Sequence, residues 1–267
     1  MSFHGRTIST ASATGQSSHR ERYNPLMPSY HFVPYNDVDA VARIIKDDIA
    51  AVIVEPIQGE GGVIVPADDY LARLSDLCEA NGVMLILDEI QTGFFRTGPI
   101  FASSPYELKV DFMTMAKGIA GGFPFGAFAM TEEISKRLSI GDHGGTYCGN
   151  PLGCAVSHAV IRYMLDNSIQ DNVEAISRYV FDEARSWQRE YPQLIVDVRG
   201  KGLLVALEFS DEKPVEELRN RCLSNGLILN VTQKKTVRIF PALNITKGEM
   251  EEGLRIFKNA LDGCARP

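Results

Sequence analysis

The sequence predicts an α/β fold, in which a large domain with a mainly parallel sheet is followed by a smaller C-terminal α+β domain. Three observations support this prediction. Short apolar runs alternate with a helical pattern in the first half of the chain. Long amphipathic segments then begin at Pro151. Shorter strand-like and helix-like segments follow them to the end of the sequence.

The first domain begins its periodic pattern with AAVIVEP (50–56), an apolar run that predicts a short strand. Segment 66–82 predicts a helix, because it opens with Pro, carries acids in its first turn, repeats Leu at helical spacing and ends in Asn-Gly. The run VMLILDE (83–89) predicts the next strand and completes a β-α-β unit. Further strands are predicted in 110–118 and 125–130.

The second domain is predicted to follow a boundary near residue 160, which gives domains 1–160 and 161–267. The long helices after Pro151 lead into a set of alternating shorter elements. These are strands within 194–209, a helix near 213–225, strands in GLILN (226–230) and TVRIFP (236–241), and a last helix near 246–261. The polar stretch 12–31 predicts a long loop.

Composition excludes several classes of function. The net charge of −7 argues against a nucleic-acid partner, since such proteins cluster Lys and Arg. The five scattered cysteines lack the CxxC spacing of a metal site, so we expect no metal and reduced thiols in the cytoplasm. Because the sequence contains neither a membrane-length apolar run nor a signal-peptide core, we also expect no membrane association.

Chemically useful side chains stand at the ends of predicted strands. Glu55 follows AAVIV, Asp88 follows VMLIL, and Lys117 follows VDFMTMA. One interpretation is a structural ion pair between the buried acid and the buried lysine. The other is functional, because a lysine in a dry pocket loses its proton easily and attacks carbonyl groups. The glycines of KGIAGGFPFG would leave room for a flat aldehyde beside that amine.

Six motifs in a fixed order give the chain a specific resemblance. They are SFHGRT (2–7), VEPIQGEGGV (54–63), LILDEIQTGFFRTG (85–98), MAKGIAGGFPFGA (115–127), GTYCGNPLGCA (145–155) and VRGKGLLVALEF (198–209). Together they resemble the class III, fold-type I aminotransferases, which use pyridoxal phosphate. Within that family, GDHGGTYCGNP and LNVTQKKTVRIFPALNIT look most like acetylornithine aminotransferases. The resemblance implies the PLP-transferase fold and an amino-group transfer.

The resemblance also implies roles for the cofactor-binding residues. Asp88 matches the acid that bonds the pyridine nitrogen, and Lys117 matches the lysine that binds the cofactor covalently and later moves a proton. Gln91 matches the residue near the phenolic oxygen, with an ordinary turn residue as the alternative. Ile90 and Phe3 match the residues on the two ring faces, and plain core packing is the alternative for Phe3.

Substrate-binding roles are implied for three further residues. Arg6 and Arg238 match arginines that bind substrate carboxylates, a task that suits a planar bidentate group. Glu60 matches an acid that pairs with the second arginine and moves away for a dicarboxylate. Surface positions are the alternatives for Arg6 and Glu60. Thr146 matches a hydroxyl that reaches the cofactor phosphate of a neighbouring subunit, which implies a homodimer with a shared site.

The sequence departs from the family pattern in two places. Family members usually carry a long segment before FHGRT, including a phosphate-binding Gly-Ser/Thr loop, whereas this sequence begins two residues before Phe3. The expectation is therefore an N-terminally truncated fold, as a truncated product, a fragment or a short natural relative. Phe95 stands where many members have Gly or Ala. It either narrows the space beside Arg96 or packs in the core.

These patterns leave three functional hypotheses. The first is a transaminase that passes an amino group from acetylornithine or a similar ω-amine donor to 2-oxoglutarate, with ornithine and 4-aminobutyrate as further donors. The second is a non-catalytic scaffold that lacks the phosphate loop. The third is a related cofactor enzyme, such as an aminomutase or a decarboxylating member.

Overall fold

A computed structural model describes residues 1–46 and 48–265, and within them the chain forms two compact units. The first unit comprises Met1–Ile57, Pro66–Phe94 and Pro99–Asn167. The second comprises the short segments Gln58–Val65 and Phe95–Gly98 together with the residues from Ser168 onward. Of the helices in the described residues, none is both long enough and apolar enough to cross a membrane.

The first unit is built around a four-stranded sheet with the order β1-β2-β3-β4. Strands β1, β2 and β3 are parallel, whereas β4 is antiparallel to β3. The mainly parallel sheet is therefore confirmed. Its elements in chain order are α1 (Ile8–Ala13), α2 (Ser17–Arg20), α3 (Val38–Ile44), β1 (Ala51–Val54), α4 (Tyr70–Ala80), β2 (Met84–Asp88), β3 (Phe112–Met115), β4 (Ala127–Met130), α5 (Glu132–Ser135) and α6 (Pro151–Asp166).

The core of the first unit lies between α4 and one face of the sheet. Leu74 of α4 and Leu85 and Leu87 of β2 are completely buried. Burial of a leucine side chain stabilises a fold by roughly 1.5–3 kcal/mol. Helix α4 starts at Tyr70 rather than at Pro66, because the amide of Tyr70 first closes a turn onto the carbonyl of Ala67.

The loop predicted for 12–31 is wrong in part, because residues 17–23 form α2 and a short 3-10 helix, Glu21–Tyr23. Its polar residues bond to the chain itself. The Ser12 hydroxyl donates to the Ile8 carbonyl at 2.7 Å and accepts from the Met27 amide at 2.9 Å. Polarity therefore does not mean exposure here, and Ser12 is buried.

The second unit contains an antiparallel sheet with the order β5-β6-β8-β7. Five of the six residues of β6 are buried, and Trp187 stacks on Phe257 at 4.9 Å between ring centroids. The predicted boundary near residue 160 lies within α6, and the division between the units follows Asn167. The elements are α7 (Ile169–Glu190), β5 (Ile195–Lys201), β6 (Leu204–Phe209), α8 (Glu212–Ser224), β7 (Asn230–Thr232), β8 (Thr236–Ile239) and α9 (Lys247–Ala265).

Candidate functional site

Asp88 is the last residue of β2 and is 5% exposed. One carboxylate oxygen, Oδ1, accepts a hydrogen bond from the amide of Ile90 at 3.1 Å. The other, Oδ2, lies 2.7 Å from Nδ1 of His4, which is also buried. A carboxylate only accepts, so Nδ1 carries the hydrogen of this bond. Asp88 is thus held in one orientation from both sides.

The SFHGRT segment lies beside Asp88 because it is bonded to the ends of the same sheet. The amide of Phe3 donates to Glu55 Oε1 at 2.8 Å, and Glu55 directly follows β1. The amide of His4 donates to the Thr14 hydroxyl at 3.0 Å. Gly5 has φ +129°, and a Cβ there would lie 2.7 Å from the Thr10 hydroxyl oxygen, so this turn requires glycine.

Lys117 starts a 3-10 helix, Lys117–Ala120, two residues after β3 ends. Because β2 and β3 are parallel, with Asp88 paired to Thr114, the acid and the lysine lie at the same edge of the sheet. The prediction of a lysine in a dry pocket is wrong, since Lys117 is exposed. The preceding strand β3 is itself only half-buried along its length, and Lys117 has a left-handed backbone conformation, at φ +48°.

The other predicted cofactor residues differ in their burial. Ile90 and Gln91 are half-buried in the turn that follows Asp88, and Phe3 is half-buried with its ring edge-on to His19 at 5.5 Å. Thr146 lies in an exposed segment before α6. The structure therefore brings Phe3, Asp88 and the turn with Gln91 to one sheet edge.

Arg6 is exposed at the surface of the first unit. Its guanidinium carbon lies 5.9 Å from the centroid of the Phe3 ring, within the range of a cation–π contact. The following residues turn into α1, whose first turn is capped by the Thr7 side chain. Arg6 thus stays close to the predicted ring-stacking residue while its charge remains in solvent.

Arg238 and Glu60 form an ion pair in the second unit. Arg238 lies in β8 and is 9% exposed, and its Nη1 donates to Glu60 Oε1 at 3.0 Å and to the Gly59 carbonyl at 3.2 Å. Its Nε donates to Asn230 Oδ1 at 2.7 Å. Such fork-like bonding fixes the plane of the guanidinium. The predicted pairing of these two side chains is therefore present within one unit.

Phe95 and Arg96 show how the second departure from the family pattern is accommodated. Phe95 is buried at φ +67° and packs as core. The Arg96 guanidinium stacks on the Phe240 ring at 3.9 Å and donates to the carbonyls of Leu203 and Pro241 at 3.0 and 2.8 Å. Burial lowers the pKa of Arg96 to about 10. Arg96 is thus held by packing and carbonyl oxygens.

Two buried residues were not singled out by the sequence. His4 lies inside a quoted motif, and only its contact with Asp88 reveals a role. Glu89 is completely buried and accepts from the Thr92 hydroxyl and from the amides of Ala102 and Ser103, the latter two at 3.1 and 2.8 Å. The sequence does contain a signal for Glu89, because an acid at the end of an apolar strand is expected to be buried and to need hydrogen-bond donors.

The residues at this sheet edge fit pyridoxal phosphate. They supply a buried acid for a ring nitrogen, an accessible amine for an aldehyde and a half-buried aromatic ring for stacking. Thr114, paired with Asp88 across the sheet, has a buried hydroxyl with no hydrogen-bond partner among the described residues. A polar ligand at this edge would satisfy it.

Comparison with known proteins supports the same identification. The family described as aminotransferase class-III matches residues 1–261. An acetylornithine aminotransferase of Clostridium acetobutylicum is 41% identical over 97% of this chain and 67% of the relative. An ornithine aminotransferase structure from Toxoplasma gondii matches with a TM-score of 0.93 and 32% identity, over 98% of this chain and 63% of that one.

A second structure of the Toxoplasma gondii enzyme matches with a TM-score of 0.91 and 32% identity. It covers 98% of this chain and 62% of that one, and its authors describe partial occupancy of PLP at the active site. The chain thus spans 62–67% of the length of the relatives compared.

Proposed function

Since this chain belongs to the class-III aminotransferases, we propose that it transfers an amino group from acetylornithine or a similar ω-amine donor to 2-oxoglutarate. The observation that carries the proposal is the arrangement of Asp88 and Lys117 at the ends of adjacent parallel strands. Ligands of α/β proteins bind at this edge of the sheet. The family is dependent on pyridoxal phosphate, and we propose that cofactor here.

When pyridoxal phosphate is bound, its ring accepts the electron pair that the substrate Cα leaves on losing a proton. Asp88 would hold the proton on the pyridine nitrogen, and the bond from His4 fixes the orientation of its carboxylate. The low exposure of Asp88 strengthens this charge contact, because water screens it little. Phe3, Ile90 and Gln91 position the ring.

Lys117 would hold the cofactor through its aldehyde, and its amine would carry the proton at the substrate Cα. Lys117 is exposed, so its side chain is accessible to a cofactor aldehyde. Removal of the amine should lower turnover by about 10²–10⁴-fold or more, the usual contribution of a general acid–base.

Arg6 and Arg238 bind substrate carboxylates in this proposal. An ω-amine donor has a carboxylate at one end only, so one of the two arginines has no substrate carboxylate to bind, and Glu60 neutralises Arg238 at 3.0 Å. A dicarboxylate such as 2-oxoglutarate needs Arg238 uncovered, so Glu60 must move aside. The 34% exposure of the Glu60 side chain is consistent with such a movement.

We further propose a cytoplasmic homodimer in which Thr146 serves the cofactor phosphate of the neighbouring subunit. Supporting this, the large apolar residues Ile140, Tyr147 and Leu152 that flank Thr146 along the chain are exposed. Exposed apolar groups of this size favour association. All five cysteines are free thiols, as expected in a reducing compartment. Sedimentation analysis of the wild type with and without cofactor tests the association.

Cofactor attachment at Lys117 gives the primary test. The purified chain is mixed with pyridoxal phosphate, reduced with borohydride and digested, and the modified lysine is located by mass spectrometry. We expect the adduct on Lys117, its loss in Lys117→Ala, and its retention in Lys213→Ala, which changes an exposed lysine of α8. An unmodified Lys117 in a folded chain would contradict the assignment.

Turnover assays separate the alternative functions. Glutamate formation from 2-oxoglutarate is measured with acetylornithine, ornithine and 4-aminobutyrate as separate donors. We expect acetylornithine to give the highest kcat/KM. Cofactor attachment without glutamate from any donor would favour the non-catalytic scaffold, and amine conversion that needs no 2-oxoglutarate would favour an aminomutase or a decarboxylating enzyme.

A further inference from the structure

The turn that carries Glu60 is short and closed. Gln58 and Ile64 exchange amide–carbonyl bonds of 3.1 Å, so residues 59–63 form the turn between them. Inside it, the amide of Val63 donates to the Gly59 carbonyl at 3.2 Å. Glu60 thus has little freedom along its backbone as long as this turn persists.

Val63 makes this turn strained. It is completely buried and has φ +55°, a conformation that β-branched residues rarely adopt. Gly62 beside it has φ +108°, which glycine tolerates. A non-glycine residue in the left-handed region is strained and persists only where its surroundings enforce it. Something in the second unit must therefore hold Val63 in place.

Arg199 of β5 provides that restraint. Its Nη2 donates to the Gly62 carbonyl at 2.7 Å, and its Nε lies 3.0 and 3.2 Å from the carbonyls of Gly62 and Val63. On its other side, Nη1 donates to Asp197 and Glu208 at 2.7 and 2.5 Å. The two carboxylates fix the guanidinium on the sheet, and the guanidinium fixes the strained turn.

The opposite side of the turn is bonded to β7 and the residue after it. The Thr232 hydroxyl and the Gln233 side-chain amide donate to the Glu60 carbonyl at 2.7 and 2.8 Å. The backbone of Glu60 is therefore restrained from both sides. The Glu60 side chain is less restrained, because it is 34% exposed and its carboxylate is bonded to the buried Arg238.

We propose that Arg199 is a positioning residue for substrate selection, which rests on the proposed function. It keeps the Glu60 backbone fixed, so that rotation of the side chain alone covers or uncovers Arg238. Reactions of the ω-amine donor need Glu60 on Arg238 and therefore depend on Arg199. Binding of the dicarboxylate needs Glu60 to move off Arg238, so it does not depend on a rigid turn.

The test compares Arg199→Gln with Arg219→Gln, which changes an exposed arginine of α8 in the same unit. In Arg199→Gln the guanidinium bonds to the Gly62 and Val63 carbonyls are lost. We therefore expect the KM for the ω-amine donor to rise about tenfold and the KM for 2-oxoglutarate to change less than about twofold. Arg199→Lys keeps the charge without the fork and should give an intermediate rise. Arg219→Gln should match the wild type in both constants.

Hydrogen-exchange mass spectrometry of the peptide containing 58–65 supplies a readout that does not depend on turnover. We expect this peptide to exchange faster in Arg199→Gln, while peptides of α8 and α9 exchange as in the wild type. Unchanged exchange, or an equal rise of both KM values, overturns the proposal. If the wild type forms no glutamate, the proposed function and the selection role both fail. If the wild type forms glutamate and Arg199→Gln has the same KM values as the wild type, only the positioning role of Arg199 fails.

Discussion

Replacing His4 by Phe should weaken both the folded chain and its hold on pyridoxal phosphate. His4 and Asp88 are buried and joined at 2.7 Å, so the substitution leaves Oδ2 of a buried carboxylate without its donor. A hydrogen bond to a charged group contributes about 1.5–3 kcal/mol. We therefore expect the free energy of unfolding to fall by about 2 kcal/mol.

The affinity for pyridoxal phosphate should fall as well, because without His4 the Asp88 carboxylate can rotate away from the orientation that binds the pyridine nitrogen. A loss of about 1.4 kcal/mol corresponds to a tenfold rise in the dissociation constant, and we expect a rise of this order. Urea denaturation of the cofactor-free chain gives the first quantity. Fluorescence titration with pyridoxal phosphate gives the second.

Two variants make the His4 measurement specific. His4→Asn keeps an N–H donor at similar reach and should retain most of the stability and affinity. His158→Ala removes an exposed histidine of α6 and should change neither quantity. If His4→Phe unfolds at the same urea concentration and binds the cofactor as tightly as the wild type, the contact with Asp88 contributes nothing and the reasoning fails.

Further expected outcomes concern a buried acid and the thiols. Glu89→Gln replaces an acceptor of three hydrogen bonds and should lower the free energy of unfolding by about 1–3 kcal/mol in urea, since a buried group is left mismatched. Burial raises the pKa of the Cys78 and Cys222 thiols to about 11, so at pH 8 a thiol reagent should modify exposed Cys148 and Cys154 first. The thiols of Cys78 and Cys222 keep their protons in the folded chain up to about pH 11, whereas in the unfolded chain they lose them near pH 9. The free energy of unfolding measured in urea should therefore fall as the pH rises from 9 to 11. Equal reactivity of all thiols at pH 8 would refute the burial argument.

The regular elements of the fold could be predicted because their signals are local. The apolar run before Asp88 is a buried strand, and the leucine spacing of α4 buries Leu74 on the sheet. These patterns reflect which face of an element meets the core. The placement of Asp88 at the end of β2 follows directly, and so does its position at the carboxyl edge of a parallel sheet.

The exposure of Lys117 could not be predicted in the same way. An apolar run before a residue indicates a strand, but it does not indicate whether later chain segments cover the strand. Here β3 is half-buried at every position, and Lys117, two residues after its end, is exposed. The contact between His4 and Asp88 could not be predicted either, because the two residues are far apart in the sequence, one before β1 and one after it.

The backbone conformations at the site explain why periodicity stops being informative there. Val63, Phe94 and Lys117 all have positive φ. Val63 and Phe94 lie outside helices and strands, and Lys117 is the first residue of a short 3-10 helix. Glycine is the residue that usually indicates a left-handed conformation in a sequence, and none of these three positions is a glycine. Such strain persists only where side chains such as Arg199 hold the turn. The turn that sets the position of Glu60 is therefore determined by bonds from β5 and β7, which lie more than a hundred residues away in the chain, and a local pattern cannot encode them.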